Sequence, residues 1–412
     1  MKLFFNITML LSLAICSDKV FVVCEGNYYD GNQGTLWTIE NDEPSLYNNS
    51  TIGSVPQSLL VHNDLLFVAV NGSGNIQVYQ ISEESLDLIE TIDTNSSGPR
   101  EMIVFNNYLY FTNWYSQDLK KINLSNWELE SSASMPGLPE DIVYNNGLLY
   151  VSITMNSDWT DGNLVVSVNP YSDEIVETFD VGEGPGALLV YDDEIFVSRT
   201  YYDANWNAFY GTSKIKDDGS VIEANYGAGA VCGGGIYKFQ NSVYRVYNGG
   251  LAMINEDLEI MPETRLGNYN SWEVYSADVI GDFIYFGLSD FSDSDEVAVV
   301  DLNGQEVSRY TVGSIPGDFA YWNSCSANGD INADGYLNIT DIVMLVNFIL
   351  EDYNFDCDFD FNQDNQLNVT DIVLLVQEIL GIESFSGAAN WLRHHFPKLM
   401  VDKRLNALDS VK

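Results

Sequence analysis

Positive charge is scarce in this chain, because its 412 residues include only 17 Lys and Arg against 60 Asp and Glu, a formal net charge of −43 at pH 7. A surface of that sign repels nucleic acid and anionic lipid and keeps cationic partners close. The composition therefore argues against a nucleic-acid-binding protein. It does not indicate disorder, since 46% of the residues are hydrophobic and 13% are aromatic, enough for a sizeable core.

Histidine and cysteine are also few. Of three histidines, only His62 lies outside the C-terminal tail, so a Ser-His-Asp triad or a multi-histidine metal site is hard to assemble. Five cysteines are too few for a disulfide scaffold. Cys24 and Cys232 lie in strand-like segments and are predicted to be small buried residues rather than reactive thiols.

Long apolar runs are absent after the N-terminus: no later stretch reaches 18 uninterrupted apolar residues, so none is predicted to span a membrane. Residues 1–17 are typical of a secretory signal peptide, with Lys2 ahead of an apolar segment and small residues behind it. We therefore expect a secreted protein associated with the cell surface. Cleavage near Cys16 and lipidation of Cys16 are the two alternatives, although Ile15 fits a lipidation signal poorly.

Residues 20–322 contain a degenerate repeat. Each unit has a Pro or Gly turn, a short apolar strand, a turn of Asn, Asp or Gly, a strand rich in Tyr, Phe and Val, and two further strands. Four strands at a period of about 40–45 residues are typical of a β-propeller blade. The clearest copies begin at Val55, Gly98, Leu138 and Gly184, and weaker copies begin near Ala230 and Ser276.

The two ends of the repeat region complement each other. The segment DKVFVVCEG, from Asp18, begins on a second-strand pattern, whereas GSIPGDFAYW, residues 313–322, is a first strand with no partner after it. Pairing these segments would complete one blade and join the ends of a ring, which removes an open sheet edge. Six internal units and one shared unit predict a seven-bladed β-propeller; six or eight blades also fit the spacing.

These units resemble the YVTN-type propellers of surface-layer and YncE-like proteins. The tetrapeptide Tyr110-Phe111-Thr112-Asn113 is close to the family's namesake sequence, and Gly-x-x-Pro precedes several first strands. The resemblance implies the blade fold and names no ligand.

Two near-copies follow the repeat, GDINADGYLNITDIVMLVNFIL and FDFNQDNQLNVTDIVLLVQEIL. Each is predicted to bind one Ca²⁺ in a twelve-residue loop, because alternate side chains, a backbone carbonyl at position 7 and a carboxylate at position 12 supply the oxygen ligands that Ca²⁺ prefers. Gly335 allows the sharp turn at position 6 of the first loop, where the second has Asn365. Asn338 and Asn368, at position 9, are expected to act through water. The predicted ligands are Asp330, Asn332, Asp334, Tyr336 and Asp341 in the first loop, and Asp360, Asn362, Asp364, Gln366 and Asp371 in the second.

A helix is predicted after each loop, over 341–350 and 371–380, and none is predicted before either loop. This duplicated loop–helix unit, residues 325–381, resembles a type I dockerin module. The resemblance implies docking to a cohesin domain, with Ile339-Thr340 and Val369-Thr370 contributing to the choice of partner. Cys325 and Cys357, one ahead of each loop, are the candidate disulfide pair in an oxidising compartment.

Loops between second and third strands are rich in aromatic and acidic residues. If the blades are as predicted, these loops meet on one face, where flat rings and carboxylates suit a sugar or a peptide. The alternative is that propeller loops are simply rich in such residues. The candidate ligand-binding residues are Tyr28, Tyr29, Trp114, Asp158, Trp159, Tyr201, Tyr202, Asp203 and Trp206, with Tyr115, Asp161, Phe291, Asp293 and Asp295 beside them.

First strands face the central channel of a propeller. Charged residues in these strands are expected to surround the mouth of the channel, either as a solvated acidic funnel or as a site for a metal or a cationic ligand. They are Arg100, Glu101, Glu140, Asp141, Asp278 and Asp318.

Four regions are thus expected: a signal peptide (1–17), a β-propeller (18–323), a small α-helical dockerin-like domain (324–382) and a basic tail (383–412). The tail is either a surface-anchoring segment or a disordered extension. The leading hypothesis is a non-catalytic propeller that binds a glycan or protein and is attached through its calcium module. The alternatives are a propeller glycoside hydrolase in polysaccharide catabolism, using two loop carboxylates, and an envelope protein that needs calcium only for stability.

Calcium removal tests the predicted module. Residues 325–381 carry 11 acidic residues and no Lys or Arg, so their mutual repulsion should prevent folding without metal. Adding a chelator to the full chain should reduce the helical circular-dichroism signal and lower the thermal midpoint of this region, and excess Ca²⁺ should restore both. An unchanged signal and midpoint in chelator would contradict the prediction.

Overall fold

The structure, a computed structural model, describes residues 18–27, 33–229, 234–292, 294–323, 329, 331, 337–350, 359 and 367–379, without the side chains of 377 and 378. The chain divides into two compact units, residues 17–322 and residues 1–16 with 323–412.

The first unit is a seven-bladed β-propeller, as the repeat predicts. Blade 1 joins the two ends of the repeat region, because its innermost strand comes from the end of the unit and its other three from the beginning. The spatial order is β27 (Pro316–Asn323), β1 (Asp18–Cys24), β2 (Thr35–Glu40) and β3 (Glu43–Leu46).

Blades 2–5 are four-stranded antiparallel sheets whose strands run in chain order from the inner to the outer edge. Blade 2 comprises β4 (Pro56–His62), β5 (Leu65–Val70), β6 (Asn75–Ile81) and β7 (Leu86–Asp93). Blade 3 comprises β8 (Pro99–Phe105), β9 (Tyr108–Asn113), β10 (Asp118–Asn123) and β11 (Leu129–Ser134). Blade 4 comprises β12 (Gly137–Asn145), β13 (Leu148–Asn156), β14 (Asp161–Asn169) and β15 (Glu174–Asp180). Blade 5 comprises β16 (Pro185–Tyr191), β17 (Glu194–Tyr202), β18 (Ala208–Ile215) and β19 (Val221–Ala228).

Blade 6 departs from the four-stranded expectation. It comprises β20 (Ile236–Phe239), β21 (Ser242–Tyr247) and β22 (Gly250–Met253). In place of a fourth strand, the chain returns through the isolated bridges Ile254↔Ile260 and Leu251↔Leu266, with a short 3₁₀ turn at Pro262–Thr264. Blade 7 is again regular, with β23 (Val274–Ile280), β24 (Phe283–Leu288), β25 (Glu296–Val300) and β26 (Glu306–Thr311).

Tight turns of Asn, Asp and Gly connect first and second strands. Asn146-Gly147 and Asp192-Asp193 hold both central residues at positive φ, 48° and 88° in the first pair and 50° and 62° in the second. Two-residue hairpins of this kind match the twist of the flanking strands and favour these residue types. The turns that punctuate the sequence repeat therefore have the predicted role.

The core is divided among the interfaces between blades. Alternate side chains of each strand point to opposite faces of its sheet, and every blade buries both faces against its neighbours. Phe21 and Val23 of blade 1 pack with Leu66 and Val68 of blade 2, and Cys24 is buried on the other face of β1, between blades 1 and 7. Burial raises the pKa of the Cys24 thiol to about 12; Cys24 is thus buried as predicted, and Cys232 lies outside the described residues.

Hydrogen bonds between blades reinforce this ring near the channel. They include bonds from Ser276 Oγ to the Pro316 carbonyl, Leu59 N to Asp318 Oδ2, Ser58 Oγ to the Arg100 carbonyl, Thr112 Oγ1 to the Glu140 carbonyl, Leu188 N to Asp141 Oδ2, and Tyr237 Oη to the Ala277 carbonyl. Two of the acids predicted to line the channel, Asp318 and Asp141, thus also hold neighbouring blades together.

The second unit contains α1 (Ile339–Leu350) and α2 (Val369–Ile379). Both begin two residues earlier than predicted, because Asn338 and Asn368 act as N-caps. The Asn338 side-chain oxygen accepts a hydrogen bond from Thr340 N at 2.9 Å, and Asp341 Oδ2 accepts one from Asn338 N at 2.8 Å. Asn368 and Asp371 repeat this reciprocal capping arrangement.

Leu345 and Leu375 are fully buried at the centre of this unit, and Phe348 stacks on Phe359 with ring centroids 5.0 Å apart. Of the ten predicted calcium ligands, Asp341 and Asp371 belong to the described residues; the other eight lie outside them, as do Cys325, Cys357, the predicted signal peptide and the basic tail. No helix within the described ranges has the length and apolar character needed to cross a membrane.

Candidate functional site

The loops between second and third strands lie at one end of the propeller, together with the connections that lead into the first strands. We call this end the upper face. Antiparallel strand order places these loops at the same end of the described blades, around the channel.

Trp159 and Trp206 occupy equivalent positions in the upper loops of blades 4 and 5. Each donates its backbone N–H to the carbonyl three residues earlier, Asn156 or Asp203, at 2.9 Å. Each also has a left-handed backbone, with φ of 66° and 62°. The side chains are 56% and 82% exposed, respectively, so neither tryptophan is there to fill the core.

Two turns with the same backbone bond elsewhere in the propeller carry glycine at this position, and a third carries Leu258, whose side chain is fully buried. Gly219 donates to the Lys216 carbonyl at 2.8 Å and Gly304 to the Asp301 carbonyl at 2.9 Å, with φ of 78° and 75°. Glycine adopts this conformation without steric cost, whereas an L-residue with a bulky side chain pays roughly 1–2 kcal/mol. The two exposed tryptophans are therefore more costly than the turn requires, and strain of this kind concentrates at functional sites.

In blade 7, Phe291 of the upper loop is also half exposed with a left-handed backbone, at φ 64°, but its N–H donates to Ser289 Oγ at 3.0 Å. Its ring meets Tyr275 edge-on at 6.0 Å. Asn27 Nδ2 donates to the Phe291 carbonyl at 3.0 Å, which links this loop to blade 1. Further exposed aromatic side chains on the upper face are Tyr115, Tyr202 and Trp272.

Trp114 differs from these residues, because it is half-buried between the loop tips and the channel. It meets Trp159 edge-on at 6.1 Å, and the Arg100 guanidinium lies 4.2 Å from its ring. Tyr201 is likewise partly covered, stacked on Phe209 at 5.8 Å. Tyr28, Tyr29 and Asp293 lie outside the described residues.

The predicted loop carboxylates have a structural role. Asp158 accepts hydrogen bonds from the Thr160 hydroxyl and backbone, and Asp203 from Asn205 and Asn207. These bonds lower the pKa of both carboxyls. Asp161 accepts from Tyr202 N at 2.9 Å and so joins the loops of blades 4 and 5. Asp295 is buried and bonded to Ser289 Oγ at 2.6 Å and to Ile315 N at 2.6 Å.

Below the upper face, the charged residues of the inner strands lie close together, as predicted. Arg100 Nε donates to Glu140 Oε2 at 3.1 Å, and its Nη2 forms an ion pair with the same carboxylate. Gln57 links Arg100 to Glu25, whose Oε1 accepts from Gln57 Nε2 at 3.0 Å and from Tyr275 Oη at 2.9 Å. Burial raises the pKa of Glu25.

Acidic groups deeper in the channel hold their protons more tightly than free carboxyls do. Burial, reinforced by Asp278 and Asp141, raises the pKa of Asp318 to about 8, and burial raises those of Asp141 and Asp278 to about 7. The pKa of Glu101 is raised well above its usual value by burial and by Asp318, Asp141 and Glu140. The channel is thus lined by mutually repelling acids, several of which are protonated near neutral pH.

Two channel residues were missed by the sequence reasoning. Glu25 follows the end of β1, outside the first strands in which channel residues were sought. Tyr237 belongs to the weakest repeat copy, and the nearby acids Asp278, Asp318 and Asp141, after burial itself, raise its pKa well above normal. Aligning all first strands by their inward positions would have identified Tyr237; no repeat signal marks Glu25.

A metal site is not apparent in the described part of the chain, where no group of three or more His, Cys, Asp or Glu residues is arranged to hold an ion. The channel of the described blades is lined by acids, with Arg100 near its mouth.

Comparison with known proteins supports the fold. No protein-family model matches the sequence, and no curated protein matches it. Solved structures of similar fold include a functionally unknown protein from Desulfotomaculum acetoxidans (TM-score 0.55, 12% identity, 74% of this chain and 98% of that chain). Another is a hypothetical selenium-binding protein from Sulfolobus tokodaii (TM-score 0.56, 9% identity, 76% and 94%). A third is a candidate 6-phosphogluconolactonase from Bacteroides fragilis (TM-score 0.51, 13% identity, 74% and 98%). At these identities the similarity establishes the propeller fold alone.

The channel acids predict that the stability of the propeller depends on pH. Native Asp141, Asp278 and Asp318 keep their protons up to about pH 7–8, whereas unfolded Asp loses its proton near pH 4. Because the native state binds more protons in this window, stability should fall as pH rises from about 5 to about 9. The thermal midpoint followed by tryptophan fluorescence should therefore decrease over this range.

Asp318→Asn should flatten this decrease, since the amide oxygen can still accept from Leu59 N and no longer ionises. The control is Asp218→Asn, which removes an exposed carboxylate whose pKa is lowered by Ser220 and should leave the decrease in place. A midpoint that rises with pH, or an equal decrease in Asp318→Asn, would contradict the prediction.

Proposed function

We propose that this chain is a secreted, non-catalytic binding protein whose propeller recognises a glycan on its upper face and whose C-terminal module attaches it to a partner through a calcium-dependent interaction of the dockerin–cohesin type. The observation that carries the proposal is the pair of exposed tryptophans, Trp159 and Trp206, held in left-handed backbone conformations where other equivalent turns carry glycine (Gly219 and Gly304) or the buried Leu258.

Exposed indole rings suit a polysaccharide ligand. The flat apolar face of a sugar ring stacks on an aromatic side chain, and the polar groups nearby fix its orientation. Trp159 and Trp206 lie on adjacent blades, joined through the bond from Tyr202 N to Asp161, so that one extended chain could contact both. Tyr115 and Tyr202 extend the same aromatic surface on either side.

Binding is favoured over hydrolysis by the state of the loop carboxylates. A glycosidase needs one carboxylic acid with a raised pKa beside the bond to be broken. Asp158 and Asp203 have lowered pKa values and are occupied by hydrogen bonds within their own loops. The acids with raised pKa values lie in the channel, so a hydrolase that uses them is the second candidate function. Turnover of a bound glycan that is abolished by Asp318→Asn would favour this second candidate.

The attachment half of the proposal rests on the duplicated C-terminal unit. Asp341 and Asp371, at position 12 of the two predicted calcium loops, are fully buried in the first turns of α1 and α2. A buried carboxylate is stabilised by an opposite charge as well as by hydrogen bonds, and Ca²⁺ bound by the predicted ligands of each loop would add that charge to the bonds that Asp341 and Asp371 already accept. The capping bonds from Asn338 and Asn368 would then fix each carboxylate in place.

Apolar side chains at the start of both helices suit the proposed docking surface. Ile339 and Val369, the predicted partner-contacting residues, are each 67% exposed, and Thr340 and Thr370 beside them are also exposed. Val343 and Val373, one helical turn later, are exposed as well. Two matching apolar stripes on a strongly acidic chain are typical of a protein-binding surface.

Replacement of Trp206 by glycine tests the glycan site. Trp206→Gly relieves the left-handed strain, so the thermal midpoint should stay the same or rise, while affinity for the glycan should fall about tenfold or more because the stacking surface is lost. The ligand would be found with a panel of soluble polysaccharides and its affinity measured by titration calorimetry.

The matched control is Gly219→Trp, which places an indole in the corresponding turn on the opposite face of blade 5. It should lower the thermal midpoint and leave glycan affinity unchanged. Unchanged affinity in Trp206→Gly, or a large drop in its stability, would refute the site. Trp206-dependent binding of a protein and of no glycan would replace the glycan with a protein ligand.

Capture by an immobilised cohesin domain tests attachment. The full chain should be retained in Ca²⁺ and released by chelator, and the double variant Ile339→Asp/Val369→Asp should not be retained in either buffer. Val176→Asp, at another exposed position on the outer strand of blade 4, should be retained like the original chain. Capture that persists in chelator, or none by any cohesin domain of the source organism, would refute this half of the proposal.

A further inference from the structure

A cavity of about 400 Å³ opens on the upper face between blades 7 and 1. It lies beside the outer strands rather than the channel, between Thr35 and Trp37 on β2 and Thr311 at the end of β26. None of the ten described residues that line it is charged, although 19% of the chain's residues are. A bound cation would need carboxylates and a bound anion would need Lys or Arg, so the cavity suits a neutral ligand.

The Trp37 indole forms part of the cavity wall and has a fixed orientation. Its Nε1 donates to Thr35 Oγ1 at 3.0 Å, and the partly exposed ring packs against the apolar cluster that blades 7 and 1 share. Gly313 contributes backbone alone to the wall beside this ring, since a Cβ there would lie 2.3 Å from Thr35 Oγ1 and 3.1 Å from Trp37 Nε1. An indole held in this way offers a flat apolar surface to a ligand.

Hydrogen-bonding groups without a protein partner also line the cavity. Ser314 is only 9% exposed, yet its hydroxyl takes part in no hydrogen bond among the described residues, and its oxygen is not one of the fully enclosed atoms. That oxygen is therefore reachable from the cavity that Ser314 lines. Gln33 Oε1 accepts from Thr51 Oγ1 at 3.2 Å, which leaves the Gln33 amide NH₂ unused within the same residues. Because nearly buried hydroxyls normally have a partner, these groups indicate a ligand that both donates and accepts hydrogen bonds.

We propose that this cavity binds one neutral sugar residue. The apolar face of the sugar stacks on Trp37, and its hydroxyl groups form hydrogen bonds with Ser314 and Gln33. The volume of the cavity is within the range of about 300–1,000 Å³ that is typical of small-ligand sites. The site is separate from Trp159 and Trp206, which lie on blades 4 and 5, and it does not depend on glycan binding there.

Saturation-transfer NMR of the full chain at constant Ca²⁺ tests the site, with D-glucose, D-galactose, D-mannose, L-fucose and N-acetyl-D-glucosamine as separate probes. At least one of these sugars should bind saturably, with a dissociation constant on the order of 1 mM, as expected for a ligand of this size. Glucuronate should bind about tenfold more weakly or less, because it meets no lysine or arginine among the described lining residues on a strongly acidic chain.

Two variants of the cavity wall locate the bound sugar. Ser314→Ala should weaken binding about fivefold and leave the thermal midpoint nearly unchanged, because the lost hydroxyl has no hydrogen-bond partner within the described residues. Trp37→Leu should weaken binding about tenfold or more through loss of the stacking surface; if it does not fold, Ser314→Ala alone decides. Ser308→Ala is the matched control, because it removes a hydroxyl from β26 outside this cavity, and it should leave sugar affinity unchanged.

The inference is overturned if none of the five neutral sugars binds, if glucuronate binds as tightly as they do, or if Ser314→Ala keeps the original affinity. Sugar affinity that falls in Trp206→Gly and not in Ser314→Ala would assign the binding to the upper loops of blades 4 and 5. That result would remove this second site and leave the proposed function intact, whereas loss of polysaccharide binding at Trp206 alone would have no bearing on the cavity.

Discussion

Closure of the ring through blade 1 is the constraint on which the rest of this propeller depends. β27 pairs with β1, although the two strands lie at opposite ends of the unit in sequence. Only with this pairing does every blade have a neighbour on both faces. The apolar clusters between blades and the hydrogen bonds between inner strands form together as a result. The upper loops of blades 1 and 7 are brought side by side by the same closure, as the bond from Asn27 to Phe291 illustrates. Any binding surface that spans several blades is therefore a property of the closed ring.

One turn geometry serves two purposes in this molecule. Where only a change of direction is needed, Gly219 and Gly304 occupy the left-handed position; on the upper face, Trp159 and Trp206 occupy it with exposed side chains. Two candidate loop carboxylates, Asp158 and Asp203, accept the hydrogen bonds that stabilise these turns. The acids with unusual proton affinity lie instead in the channel, where Asp141 and Asp318 bond to backbone amides of the next blade. Aspartate thus stabilises the upper loops, where its pKa is lowered, and joins the inner strands of neighbouring blades, where its pKa is raised.

Sequence patterns predicted the features that depend on periodicity. The spacing of the repeat copies that begin at Val55, Gly98, Leu138 and Gly184 predicted the blades, and the incomplete units at the two ends predicted their closure. Inward-facing acids such as Asp278 and Asp318 followed from their place in the first strands. The pattern could not show that Asp158 is occupied by Thr160, because side-chain bonds within a loop leave no periodic signal. It also could not anticipate the missing fourth strand of blade 6, or that Arg245 on β21 donates to Thr212 of blade 5, since both depend on packing between segments distant in sequence.

Because β27 is the last strand of the propeller to be synthesised, β1 cannot pair with it until every other blade has been made. During that interval β1 is an unpaired sheet edge, because the backbone N–H and C=O groups on the side of β27 have no partner. The edge includes the apolar sequence Val20–Cys24 and can accept a strand from another molecule. Long separation in sequence also makes this last pairing slow. The nascent chain is consequently most prone to aggregation at β1, in the interval before β27 has been synthesised. A chaperone that covers β1 would protect this folding step.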